Sequence, residues 1–165
     1  MEKFKIEHLI DDYSDEMYWF VRKIVKSHHD AEDVVQNSWI RINNNLNSFR
    51  EESNIKTWIF KISYNESIRL LEKNKKKWNY IEGEDNRYIE SIKSDTYFCG
   101  EDFHLKFHNV LGKLSFEERN IFQLKYFDDL KLNEVSQIID SNENTIKTKY
   151  YKITKFIEGE LKKIV

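Results

Sequence analysis

The sequence predicts an all-α protein: two small helical domains joined by a flexible linker. Three observations predict it. Proline is absent and glycine occurs only 4 times in 165 residues, too few for the tight turns of a β-rich chain. Apolar residues recur at spacings of three and four, the period of a helix face. Charge is segregated: residues 1–80 are net +1, residues 81–118 net −5 and residues 119–165 net +2. The acidic middle block contains Glu82-Gly83-Glu84-Asp85-Asn86 and marks residues 78–100 as the linker. That leaves domains over 1–77 and 101–165.

In the first domain, Ile6, Leu9, Ile10, Tyr13, Met17, Phe20, Val21 and Ile24 form one amphipathic helix. His28-His29 interrupts it. Asp30 is expected to cap the next helix, with Glu32 and Asp33 favourable in its first turn. Val34, Val35, Trp39, Ile42 and Leu46 give that helix its apolar face, and the asparagines after it weaken its end. A loop through Arg50-Glu51-Glu52-Ser53-Asn54 leads to a third helix over Lys56 to Lys77, with Ile55, Trp58, Ile59, Ile62, Ile68 and Leu71 as apolar positions.

The second domain opens with a helix over Glu101 to Lys113. Ser115-Phe116-Glu117-Glu118 is a capping box, so a helix begins there without proline. Two further segments follow closely. Leu132, Val135, Ile138 and Ile139 make a short helix, Asp140-Ser141-Asn142 a polar break, and Asn142 caps a longer helix carrying Ile146, Tyr150, Ile153, Phe156, Ile157 and Leu161. Short helix, tight turn and long helix is the helix-turn-helix layout.

Composition narrows the function. A formal charge of −2 excludes a polycation that coats nucleic acid. Cys99 is the only cysteine, so an intramolecular disulfide and a cysteine-based zinc site are excluded. Adjacent His28 and His29 point apart on a helix and make poor metal ligands. No glycine-rich phosphate loop occurs, and no acid pair has a catalytic partner in view, so an enzyme ranks last. The N-terminus has no signal-peptide core, and no apolar run is long enough to span a bilayer. The expectation is a soluble cytoplasmic protein without cofactor or metal.

Two constellations point to DNA. The last helix sets Lys147, Thr148, Lys149, Tyr151 and Lys152 beside its apolar stripe, a face suited to a major groove. Arg50 to Lys77 holds eight basic and four acidic residues, with Trp58, Phe60 and Tyr64 interleaved among Lys56, Lys61 and Arg69. Cations among aromatics suit single-stranded or melting DNA. The bland readings are a solvated lysine-rich helix and, for Trp58, a place in the core.

These residues resemble a family. Asp30-Ala31-Glu32-Asp33-Val34-Val35-Gln36 is similar to the D-A-E-D motif of bacterial RNA polymerase sigma factors of the extracytoplasmic-function subgroup. Phe49-Arg50 with Thr57-Trp58-Ile59-Phe60-Lys61-Ile62-Ser63-Tyr64-Asn65 resembles that subgroup's F-R…T-W-L-x-x-I-A-x-N stretch. Leu114-Ser115 with Glu118-Arg119 resembles its L-P-x-x-x-R segment. Val135-Ser136-Gln137-Ile138-Ile139 and Thr145-Ile146-Lys147-Thr148-Lys149 resemble its I-A-E-I-L…T-V-K-S-R signature. The match spans both domains and omits the linker.

The resemblance implies a promoter-specificity subunit with no catalysis of its own. Its partners would be core RNA polymerase, through the β′ clamp helices and the β flap, promoter DNA, and an anti-sigma protein. A small-molecule substrate is not implied. Asp33, Gln36 and Asn37 would meet core polymerase. Lys56, Lys61, Asn65, Arg69 and Lys73 would meet the minus-ten element, with the loop Glu51 to Ile55 shaping a pocket for a flipped base. Lys147, Thr148, Lys149, Tyr151 and Lys152 would meet the minus-thirty-five element. The chain departs from the pattern at Asn37 for an acid, Ser63 and Ser136 for alanine, Ser115 for proline and Asp140 for glycine. The competing readings are a stand-alone helix-turn-helix regulator, which would leave the Asp30-to-Gln36 helix without purpose, and a sigma mimic that only sequesters an anti-sigma protein.

Overall fold

The computed structural model describes residues 4–78 and 102–164, and every regular element among them is helical. The chain divides into two compact units, one chiefly before and one chiefly after residue 79. The expected linker lies outside the described residues except for Trp78, which ends a helix.

In the first unit, α1 (Ile6–Val25), α2 (His28–Asn45) and α3 (Ile55–Trp78) pack pairwise, with a 3-10 turn at Leu46–Ser48. Leu9, Met17, Phe20, Val21 and Ile24 of α1 meet Ala31, Val34 and Ile42 of α2 and Ile59, Phe60 and Tyr64 of α3 in the core. Phe20 and Phe60 stack with centroids 4.8 Å apart. Burial of each large side chain is worth roughly 1.5–3 kcal/mol. Three buried serines line the seams, and each hydroxyl donates to the carbonyl four residues back: Ser38 to Val34, Ser63 to Ile59, Ser67 to Ser63. Their small size lets the helices approach, and the bonds remove the penalty of burying a hydroxyl. Ser63 therefore stands in for alanine without an unsatisfied polar group.

Two expectations for this unit need correction. Asp30 is not the cap of α2. Lys26 turns left-handed (φ 65) and ends α1, so the extended Ser27 takes the cap and its hydroxyl accepts from the Asp30 N–H. The His28-His29 pair becomes the first turn of α2 rather than a break. Phe60 and Tyr64 do not face DNA. α3 packs against two helices, so its buried sector is wide and takes in Thr57, Phe60, Ser63, Tyr64 and Ser67. Trp58 rests on Phe49, centroids 5.0 Å apart, and Phe49 meets Phe4.

The second unit contains α4 (Asp102–Gly112), α5 (Phe116–Tyr126), α6 (Leu132–Ile139) and α7 (Glu143–Ile164). α7 packs on α4 and α5. Val110, Leu111, Leu114, Ile121, Leu124, Val135, Ile138, Ile146, Ile153 and Ile157 are buried. The expected capping box starts α5: Ser115 Oγ accepts from the Glu118 N–H, and the Glu118 carboxylate accepts from the Ser115 N–H. Glu160 of α7 is held between Lys113 and Lys163, each with Nζ at 2.5 Å. Those hydrogen bonds hold its carboxyl down from 4.5 to about 2.

The turn between α6 and α7 is built by polar side chains. Asp140 is left-handed (φ 60, ψ 51), and its N–H together with that of Ser141 reaches the Ser136 carbonyl. Asparagine and aspartate tolerate this region better than other residues with a Cβ, so Asp140 serves where glycine is the usual choice. Asn142 Oδ1 then accepts from the Asn144 N–H at 2.9 Å and starts α7. Ser136 donates to the Asn133 carbonyl at 2.6 Å, again satisfying a serine in an alanine position.

Candidate nucleic-acid interface

α7 separates two faces, with the correction that Phe156, expected in its apolar stripe, is 40% exposed at the edge. Ile146, Ile153 and Ile157 are buried, and Lys147, Thr148, Tyr151, Lys152 and Lys155 stand exposed on the other side. Tyr151 is 58% exposed, a large apolar ring left in water. Lys147, Thr148, Tyr151 and Lys152 are thus brought together near the start of the helix that follows the turn. Lys149 is set apart from them. It lies three residues after Ile146 and four before Ile153, on the edge of the buried stripe, and its Nζ pairs with Glu117 of α5 at 2.8 Å. Neighbouring Tyr150 is half-buried, and burial, then the nearby Tyr126 and Tyr151, push its phenol up, so it stays neutral.

On α3, Lys61, Asn65, Arg69 and Lys73 recur every four residues, a row opposite the buried Ser63 and Ser67. Asn65, Arg69 and Lys73 are exposed and Lys61 half-exposed. Lys56 does not join this row. It precedes Phe60 by four residues, so it falls on the packing side, where it pairs with Glu16 of α1 and lies 5.4 Å from the Phe60 ring centroid. Arg69 pairs with Glu66 at 2.7 Å, and the same carboxylate oxygen binds Arg41 of α2. In the loop before α3, Glu51 has φ 57, and Asn54 Oδ1 caps the helix by accepting from the Lys56 N–H.

α2 presents the third face. Asp33, Gln36 and Asn37 are all exposed, at the i, i+3, i+4 spacing of one helix side. Sequence reasoning missed Ile40, which continues that side at i+7 and is 54% exposed. Its signal was present: Ile40 is out of phase with Ala31, Val34, Ser38 and Ile42, the residues α2 buries. It missed Arg41 as well, whose pairing with Glu66 only the packing of α2 on α3 creates. His29 Nε2 stands 3.7 Å from Asp33 Oδ2 and His28 Nε2 3.2 Å from Glu32. Among the described residues, no three metal-ligating side chains gather as an ion would need.

Residues 9–77 match the family model for Sigma-70 region 2, and residues 104–157 match Sigma-70, region 4. RNA polymerase sigma factor SigV of Bacillus subtilis (strain 168) is 32% identical over 154 residues, covering 93% of this chain and 89% of its own. ECF RNA polymerase sigma factor SigW of the same organism is 25% identical over 164 residues, covering 93% and 87%. Among solved structures, the sigma factor RpoE in complex with the anti-sigma factor NepR from Bartonella quintana has a TM-score of 0.71 at 22% identity. It covers 94% of this chain and 96% of that one, a likeness of fold.

Proposed function

The chain belongs to the extracytoplasmic-function RNA polymerase sigma factors, and from that premise we propose how its faces divide the work of promoter recognition. A sigma factor binds core polymerase and promoter DNA and directs where transcription starts. Residues 1–77 act as the region 2 domain and 101–165 as the region 4 domain, with 78–100 as the connection. Asp33, Gln36 and Asn37, with Ile40 beside them, dock on core polymerase: an exposed apolar residue flanked by polar groups is the composition of an interface centre. Lys61, Asn65, Arg69 and Lys73 track the minus-ten strand. Lys56 stays with Glu16 and fixes the start of α3. Lys147, Thr148, Tyr151 and Lys152 enter the major groove of the minus-thirty-five element, and Lys149 supports them from the edge through Glu117.

The observation that carries this reading is the opposition of faces on α7 and α3. Each helix buries residues on one side and leaves a row of cations and hydrogen-bonding groups on the other. The protein makes and breaks no bonds itself and works in the cytoplasm, where polymerase and promoter are. The RpoE structure contains an anti-sigma factor, and an anti-sigma protein is accordingly a proposed partner here.

Binding assays separate the faces. Lys147→Ala with Lys152→Ala should weaken holoenzyme binding to promoter DNA and leave core-polymerase binding unchanged. Gln36→Ala with Ile40→Ala should weaken core-polymerase binding and leave promoter affinity unchanged once holoenzyme is formed at saturating protein. Equal loss of both activities in a folded variant would refute the division.

A further inference from the structure

The seam between α2 and α3 holds a charge arrangement that the faces above leave unexplained. Glu66 is only 8% exposed, and its Oε1 accepts from two guanidiniums, Arg41 Nε from α2 and Arg69 Nη1 from α3. The arginine side chains remain 49% and 57% exposed. One cation balances the charge of a nearly buried carboxylate. Here there are two, bonded to the same oxygen and so held side by side despite their repulsion. The carboxylate cancels one charge, and a surplus positive charge is left facing water. Each guanidinium carries five N–H donors, and the bond to Glu66 engages one of them.

We propose that Arg41 and Arg69 grip one backbone phosphate of the single-stranded minus-ten segment, with Glu66 as the positioning residue that fixes their spacing. The proposal rests on the reading of the α3 row as DNA-facing and adds to it a residue from α2. By helix spacing alone, Arg41 follows Asn37 by four residues and would belong to the polymerase face. Its bond to Glu66 turns it toward α3 instead and sets it beside Arg69, itself a member of the row with Lys61, Asn65 and Lys73. A phosphodiester carries the single negative charge that the surplus calls for, and its oxygens accept the paired N–H donors of a guanidinium edge.

The test uses holoenzyme reconstituted from core polymerase and the full chain. The probe is a fork-junction DNA whose promoter sequence is selected from a random library by wild-type holoenzyme. Arg41→Ala should bind core polymerase as the wild type does and lose about tenfold in affinity for the fork junction. Its slope of log affinity against log salt should shrink by about 0.7, one phosphate contact on a single strand. In a methylphosphonate scan of the minus-ten strand, one neutral linkage should weaken the wild type and leave Arg41→Ala unaffected. Arg41→Lys keeps the charge and loses the fork, so it should restore the salt slope but only part of the affinity, and that linkage should remain sensitive to a smaller degree. Glu66→Gln adds positive charge but releases both guanidiniums, so the sensitive linkage should spread to its neighbours. A merely neutralising carboxylate would instead raise affinity evenly.

Loss of core binding by Arg41→Ala and Arg41→Lys, with fork-junction affinity intact, would assign Arg41 to the polymerase and overturn the proposal. No change in either activity would reduce the trio to an internal brace. Lys61→Ala and Asn65→Ala separate the two levels. If they weaken fork-junction binding and Arg41→Ala does not, only the phosphate grip fails. If none of the three does, the minus-ten reading of α3 fails with it.

Discussion

Single residues decide how the helix-turn-helix is held. Asp140 carries a left-handed backbone with a side chain attached. Replacing it with valine should cost about 1–2 kcal/mol, since a branched Cβ clashes there, and glycine should be accepted without loss. Thermal unfolding of the two variants checks this. Glu160 makes a pH-dependent contribution. Its carboxyl is lowered to about 2, so its hold on Lys113 and Lys163 is fully present above its ordinary 4.5 and is lost as pH falls toward 2. The gap in melting temperature between wild type and Glu160→Gln should therefore be steady near neutrality and close across that acid window. A gap independent of pH would show that the lysines contribute nothing through charge. Lys149 gives the clearest case of what spacing can reveal. Its distances of three and four from Ile146 and Ile153 place it at the edge of the core stripe, and that much was readable. Its partner Glu117, 32 residues away, was not, because only the packing of α5 on α7 brings the two together.

At the scale of elements, helix existence was legible nearly everywhere and orientation only in part. On α7 the buried stripe was legible at Ile146, Ile153 and Ile157, but Phe156, expected in it, stands 40% exposed, and Lys149, expected on the exposed face, sits at its edge against Glu117. α3 was harder. It packs on two neighbours and buries serines and a threonine together with Phe60 and Tyr64, so hydropathy alone gave the aromatics no side. α2 shows the same limit from the other direction, since Ile40 is apolar and exposed. The consequence for α7 can be measured. Ile146 is fully buried at the front of the helix, and Ile146→Ala should destabilise the protein by roughly 2–5 kcal/mol. Lys152→Ala should leave stability within about 0.5 kcal/mol and reduce the salt slope of promoter binding by about one. Denaturant unfolding and binding at several salt concentrations distinguish the two effects. A helix whose lysines are only solvated surface would show no change in the salt slope.

For the whole molecule, the formal charge of −2 at first argues against a nucleic-acid partner. The total conceals two basic helix faces and an acidic middle stretch. Weak attraction of the free chain for DNA and strong contacts made in company with polymerase are both consistent with that distribution. Two tethered contacts on one promoter raise each other's effective concentration, so neither domain needs a strong positive field of its own. What the sequence could convey at this scale was the order of motifs along the chain, which survives without any knowledge of packing. What it could not convey was the bridging of α2 and α3 through Glu66, which depends on three side chains from separate turns. The most direct measurement is transcription in vitro from a promoter library by core polymerase with and without this protein. Defined start sites downstream of a shared two-element sequence, present only when the protein is added, are the predicted result. A folded protein that binds core polymerase and yields no such transcripts would contradict the account.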